Sequence, residues 1–139
     1  MRKNKISLDK VQEAFNSAIK RRDMRCMIRD FEPCCGQLEC SHYYTVGSSP
    51  SLRFYPPNAW TQCNRHHFNH HNKWEKNIDR KAFEASIIVK YCEDLDYMES
   101  HRNRFIKYTD DLKAEIIRLC NSDRLDELKT LIEGELNAV

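Results

Sequence analysis

Apolar residues recur at helical spacing near the start of the chain, where Leu8, Val11, Phe15 and Ile19 form one stripe. Ser7 precedes the stripe and Lys20-Arg21-Arg22 closes it. A face repeating every three to four residues is buried in a helix, a hydroxyl satisfies the first unpaired N–H groups, and cations suit the C-terminal end of the dipole. The pattern predicts an N-terminal helix within residues 1–25, lying on the module that follows. From Cys26 to Pro57 the periodicity breaks, with cysteines, Gly36, Gly47-Ser48-Ser49-Pro50 and Pro56-Pro57 between strand-like stretches at Leu38–Val46 and Leu52–Tyr55. This reads as a hairpin with an irregular loop, followed after Asn58 by a short helix bearing histidines.

Helical spacing then returns three times. One helix is predicted from Asp79, with Phe83, Ile87, Tyr91 and Leu95 on its apolar side. A second starts at Thr109 with Leu112, Ile116 and Leu119, and a third at Ser122 with Leu125, Leu128, Ile132 and Leu136. The expected architecture is α+β and mostly helical. One domain over 1–139 would comprise the N-terminal helix (1–25), a strand–strand–helix core (26–76) and a C-terminal helical extension (77–139).

A chain of 139 residues with 40% apolar and 32% charged side chains is one globular domain's worth. No apolar run is long enough to span a bilayer, and Met1-Arg-Lys-Asn-Lys5 leads directly into the amphipathic pattern. The expectation is a cytoplasmic protein without a secretory signal or membrane partner. Seven cysteines in a reducing compartment point to metal ligation or burial rather than disulfides. Cys26, Cys34, Cys35, Cys40 and Cys63 crowd toward the histidines, whereas Cys92 and Cys120 sit on apolar positions of later helices and read as core. The net charge of +2 is unevenly spread: residues 1–80 hold 14 Lys and Arg against 8 Asp and Glu, and residues 81–139 hold 9 against 13. A basic half suits a polyanion.

That half also carries the chemistry. His42, Asn58 and the cluster Cys63-Asn-Arg-His66-His67-Phe-Asn-His70-His71 follow the order of a one-metal DNA-cutting site of the His-Asn-His type. Hydrolysis of a phosphodiester needs a base, a group that fixes the base's tautomer, and a divalent cation. An imidazole that titrates near neutrality makes His42 the expected base. Asn58, 16 residues on, is expected to accept a hydrogen bond from its ring. His67 and His71 stand four apart on the predicted helix, so both imidazoles share a face and could grip one Mg²⁺ or Mn²⁺ ion. Arg53, Arg65 and Lys73 are expected phosphate contacts. Tyr43, Tyr44 and Phe54 read as packing residues, and Trp60 and Trp74 as a cover over the metal-bound core.

The block Ser41-His-Tyr-Tyr-Thr-Val-Gly-Ser-Ser-Pro-Ser-Leu-Arg-Phe54, then Asn58, then Gln62-Cys63 and the His/Asn-rich turn ending at Asn72, resembles the phage lambda NinG (Rap) recombination-nuclease family. Arg21-Arg22-Asp23 before Cys26, and Met98-Glu-Ser-His-Arg-Asn-Arg104 before Thr109, extend the resemblance over roughly residues 10–120. It implies a ββα-metal (His-Me finger) endonuclease, encoded by a phage or prophage. The implied substrate is branched DNA such as Holliday junctions and D-loops, hydrolysed with a divalent cation in the bacterial cytoplasm. A homodimer would suit symmetric cutting of a four-way junction.

The family's structural zinc, held by two Cys-x-x-Cys knuckles, would here be met differently. The second knuckle reads Cys63-x-x-His66, and Cys35-Gly36 resembles the end of the first, but Glu32 stands three residues before Cys35. The favoured zinc set is Cys26, Cys35, Cys63 and His66, with Cys34 or Cys40 in a rearranged knuckle as the alternatives. Giving His66 to zinc leaves His67 and His71 for the catalytic ion; the other register uses His66 and His70. Ser41 stands where many such nucleases place a ligand, so Glu39 could help and weak metal affinity is expected. Two other readings are an HNH nuclease of ordinary duplex DNA and a zinc-dependent DNA-binding module that does not cut.

Overall fold

A computed structural model of the chain describes residues 5–28, 33–72 and 94–138, with the backbone alone at 69–72. Its elements are helix α1 (Leu8–Asp23), strand β1 (Leu38–His42), strand β2 (Ala59–Cys63), and helices α2 (Asn64–Asn72), α3 (Asp110–Asn121) and α4 (Leu125–Asn137). Residues 94–101 are also helical. The predicted α+β, mostly helical class describes this arrangement. The helix expected from Asp79, with Cys92 and Trp74, falls outside the described residues except for its end.

The N-terminal helix forms as its pattern predicts. The Ser7 hydroxyl accepts from the Lys10 N–H at 3.2 Å, and Val11, Phe15, Ala18 and Ile19 are buried along one side. That side meets α3, where Ile116, Leu119 and Cys120 are buried, and both strands of the sheet. In α4, Leu128, Ile132 and Leu136 complete the same core, Leu52, Phe54 and Tyr55 close it from the loop between the strands, and Met98 closes it from the helical residues 94–101. Thr109 caps α3 by accepting from Leu112 N–H at 3.2 Å. Ser122, expected to start the last helix, instead ends α3: its N–H and hydroxyl both donate to the Arg118 carbonyl, and α4 begins at Leu125.

Two strand predictions need correction. Pairing stops at His42 rather than Val46, and the second strand is Ala59–Cys63 rather than Leu52–Tyr55. The register runs from Leu38 opposite Cys63 to His42 opposite Ala59, antiparallel. Pro50 and Pro56 each open a 3₁₀ turn, at Pro50–Leu52 and Pro56–Asn58, because their fixed φ suits a first helical position and they lack the N–H a strand would use. Leu52, Phe54 and Tyr55 are all fully buried, which a one-sided strand would not allow. The histidine-bearing helix consequently starts after β2, at Asn64.

A strand pair alone is marginal in water. Here the outer edge of β2 is covered by the end of α1. The Asp23 carboxylate, whose side chain is 4% exposed, accepts from Thr61 N–H at 2.8 Å, and Met27 N–H donates to Thr61 O at 2.9 Å. Arg22 bonds the same carboxylate and donates to the carbonyls of Pro56 and Ala59. Replacing Asp23 by Ala strands a buried N–H and is expected to cost about 1–3 kcal/mol of unfolding free energy. Thr109→Ala removes only a helix cap, at about 1 kcal/mol. Urea titrations followed by circular dichroism measure both, and an Asp23→Ala protein as stable as the parent would contradict the latch.

Candidate functional site

Three separate stretches of chain bring cysteines to one point. Cys26 follows α1, Cys34 precedes β1, and Cys63 and His66 bracket the β2–α2 junction; their ligand atoms all lie within 4.8 Å of one another. Tetrahedral zinc with Zn–S of about 2.3 Å and Zn–N of about 2.0 Å sets neighbouring ligand atoms about 3.3–3.8 Å apart. His66 Nδ1 is 3.1 Å from Cys26 Sγ and 4.0 Å from Cys34 Sγ, so the group could hold zinc with little adjustment. The expected Cys35 is not in this group; its neighbour Cys34 is. Cys35 serves through its backbone, its carbonyl accepting from Arg65 N–H at 3.1 Å. Gly36 follows at φ +86°, and a Cβ there would sit 2.7 Å from Asn64 Cβ, so the turn requires glycine. Cys40, the other alternative, lies on the sheet near the end of α1, where burial pushes its thiol up to about 12.

The ionisation of the group is mixed. Burial pushes the Cys26 thiol up to about 12. Burial also opposes ionisation of Cys63, but N–H donation from His66 and Cys35 and the thiols of Cys26 and Cys34 outweigh it and hold that thiol below its usual range. Zinc binds thiolates, so metal uptake here is coupled to proton release. Trp60 and Ile28, both buried, shield the cluster, as expected for Trp60.

His42 ends β1, half-buried, with its ring stacked on Phe15 at 5.9 Å. Its Nε2 lies 3.1 Å from the carbonyl oxygen of Arg53. A carbonyl only accepts, so Nε2 carries the proton and Nδ1 carries the lone pair. Burial lowers the His42 pKa to about 4, with Arg53 and His67 adding repulsion against the Arg53 carbonyl's opposing effect. The ring is therefore neutral near pH 7.

The Asn58 side chain hydrogen-bonds the backbone of Tyr44 and Leu52 and not His42, contrary to the sequence expectation. It is fully buried, and its amide closes the neck of the loop between the strands: Oδ1 accepts from Tyr44 N–H at 2.8 Å, while Nδ2 donates to the carbonyls of Tyr44 at 3.0 Å and Leu52 at 3.1 Å. The Asn58 carbonyl also accepts from Tyr43 N–H at 2.9 Å. Holding Leu52 fixes the next peptide, whose carbonyl is the one that bonds His42. The tautomer-fixing role belongs to the Arg53 backbone, and Asn58 positions it. A main-chain acceptor leaves no signature in sequence, which is why the residue with the visible side chain drew the assignment.

His67, in the first turns of α2, has Nδ1 3.1 Å from Glu39 Oε1. The carboxylate accepts, so Nδ1 carries the proton and Nε2 the lone pair. Glu39 also accepts from Asn64 Nδ2 at 3.3 Å. The side chains of His70 and His71, and all of Lys73, fall outside the described residues. Arg65 is exposed on α2, and Arg53 is half-buried beside Phe54. Tyr44 and Phe54 are buried, as packing residues should be.

The arrangement defines a small, mostly helical α+β protein with a two-stranded sheet that carries a Cys₃His group able to bind zinc at one end and a neutral histidine at the other. The chain belongs to the bacteriophage lambda NinG protein family, whose model matches residues 1–130. Nothing matches among curated proteins or solved structures. Among the described residues no helix is long and apolar enough to cross a membrane.

Two measurements follow from the geometry. Zinc content by atomic emission is expected to be lost in Cys34→Ser and Cys63→Ser and kept in Cys35→Ser, with melting temperature falling only in the first two; retention in Cys34→Ser would overturn the ligand set. The depressed pKa of His42 has a stability consequence. In the unfolded chain its imidazole takes up a proton near 6.5, in the fold only near 4. Stability linked to the neutral ring is present above pH 6.5 and is lost as pH falls toward 4. Denaturation curves of the parent and of His42→Gln should diverge across that window, the parent losing more; parallel pH profiles would show that His42 is not held neutral.

Proposed function

We propose that this protein is a metal-dependent DNA endonuclease of the ββα-metal (His-Me finger, HNH) type, acting on branched recombination intermediates such as Holliday junctions and D-loops. The observation that carries the reading is the neutral His42 ring, tethered at Nε2 to a main-chain carbonyl with Nδ1 left as a proton acceptor. In this role Nδ1 takes a proton from the attacking water, the Arg53 carbonyl stabilises the imidazolium that forms, and Asn58 holds the loop that presents that carbonyl. A phosphate beside the ring raises the His42 pKa from about 4 toward neutrality, which strengthens the base at the moment it is used.

His67, oriented by Glu39, and His71 on the next turn would hold a Mg²⁺ or Mn²⁺ ion, which supplies charge neutralisation at the phosphate and leaving oxygen. Arg53, Arg65 and Lys73 would meet the DNA backbone. Membership of the NinG family and the basic N-terminal half support a nucleic-acid substrate, and cutting both strands of a junction symmetrically calls for two copies of the chain. Phage or prophage encoding and action in the bacterial cytoplasm accompany the same reading.

A second reading has its own observation. Ser41, immediately before the base, is fully buried, so it is not available as the ligand many such nucleases place there. A zinc-dependent DNA-binding module that does not cut would show the same fold. The test is nicking of an end-labelled four-way junction and of linear duplex with Mg²⁺ or Mn²⁺. The parent should cut the junction preferentially, and His42→Ala should lose at least about a hundredfold in rate, the lower range for a general base, while melting within a few degrees of the parent. No cutting by the parent favours the binding module; equal cutting of linear duplex favours an ordinary duplex nuclease; and equal rates for parent and His42→Ala remove His42 from the chemistry.

A further inference from the structure

The connection between the helical residues 94–101 and α3 reads Arg102-Asn103-Arg104-Phe105-Ile106-Lys107-Tyr108, and no part of the proposed cutting site uses it. It is firmly seated. Ile106 is buried in the main core, the Tyr108 hydroxyl donates to the Pro50 carbonyl at 2.9 Å, and the Tyr108 ring meets Phe54 edge to face at 5.2 Å. The Ser51 hydroxyl donates to the Arg102 carbonyl at 3.4 Å. Side chains along this extended stretch alternate, Ile106 inward and its neighbours Phe105 and Lys107 outward. Phe105 is consequently 84% exposed on a backbone anchored on both sides.

Beneath it runs a groove of about 410 Å³ to which Arg53, Arg102 and Arg104 contribute, with no acidic side chain among the described residues of its lining. Arg53 spends its Nε on Gln12, and the Arg102 guanidinium lies over the Tyr44 ring with Glu99 3.9 Å from its Nη1. Arg104 is exposed. A larger groove, about 580 Å³ at the α3–α4 turn, mixes Arg21 and Arg124 with Asp123, Asp126 and Glu127, so it has no charge preference. The basic groove does. Guanidinium groups bind phosphate by forked donation, and an exposed aromatic among them offers a stacking face that any base can use once it leaves the helix. Fully paired duplex has no such base to offer away from its ends; a branch point does.

We infer that this groove binds the DNA backbone next to a branch point and that Phe105 stacks on a base exposed there, making Phe105 a specificity-determining residue. The inference rests on the DNA-cleaving reading above and names where branch selection would come from. The groove and the base share the 50–58 loop, since the Arg53 side chain lines the groove while its carbonyl holds His42.

The experiment measures binding, without added divalent ion and without chelator, to a splayed fork carrying 2-aminopurine at the first unpaired position and to linear duplex of equal length. Phe105→Ala is expected to lose about tenfold in fork affinity, as one stacked base is worth, with duplex affinity within about twofold, and to abolish the change in 2-aminopurine emission. Phe105→Trp should restore both. Arg104→Ala should weaken fork and duplex alike and lower the slope of log affinity against log salt by about one. Phe105→Ala binding the fork as the parent does, or losing fork and duplex affinity equally, overturns the inference. A parent that cuts junctions while Phe105→Ala binds unchanged defeats only this inference; a parent that binds forks through Phe105 but never cuts defeats only the nuclease reading.

Discussion

One buried amide governs the geometry of the candidate site. Asn58 uses both of its amide hydrogens and its oxygen on the backbone at the neck of the loop between the strands, and its own carbonyl continues the strand pairing by one residue. A loop that leaves a two-stranded sheet has little to prevent fraying at that end, because among the described residues no third strand covers it. Three satisfied bonds in a fully buried setting, where each lost partner is costly, keep the loop closed. The consequence reaches His42 at one remove: with Leu52 pinned, the Arg53 carbonyl stands where it fixes the tautomer of the ring. A positioning residue and a positioned carbonyl together set which nitrogen of the ring carries the proton, as the carboxylate sets it in a serine-protease triad.

The other end of the sheet is organised differently. There Asp23 and Met27 close the edge of β2 at Thr61, and beyond lies the Cys₃His group, drawing on the segments after α1, before β1 and around the start of α2. Ion binding at such a group would tie three chain segments that, among the described residues, are otherwise joined by a small buried cluster of Cys26, Ile28, Trp60 and Cys63. The main core, built from α1, α3, α4 and the loop aromatics, lies apart from it. The fold therefore draws its cohesion from apolar burial around α1, and an ion held by the Cys₃His group would add a second source, with His42 between α1 and the loop. His42 pays for that placement with a suppressed proton affinity, which burial alone makes the larger effect.

Much of the helical framework was legible in the sequence because its causes are local. Ser7 and Thr109 cap the helices they precede, and the stripes through Val11–Ile19, Leu112–Leu119 and Leu128–Leu136 are buried, since 3.6-residue periodicity is a property of neighbouring positions. The loop between the strands was misread for a related reason. Leu52, Phe54 and Tyr55 look like a strand by residue type, yet the prolines at 50 and 56 turn that stretch into 3₁₀ turns, all of whose apolar side chains face inward. The candidate-site residues His42, Cys26, Cys63, His66 and His67 are legible by type and spacing because metal ligation and proton transfer each demand particular side chains.

Sequence alone, then, determined the described helices, the mostly helical α+β class and the pool of histidine, cysteine and basic side chains, all of which depend on local periodicity or on side-chain chemistry. Tertiary structure alone decided that Cys34 rather than Cys35 faces the other ligands, because neighbouring cysteines differ only in the direction the Gly36 turn gives them. It alone decided that a main-chain oxygen, not Asn58, meets the imidazole of His42, because every residue carries a carbonyl and only the path of the chain selects which one arrives.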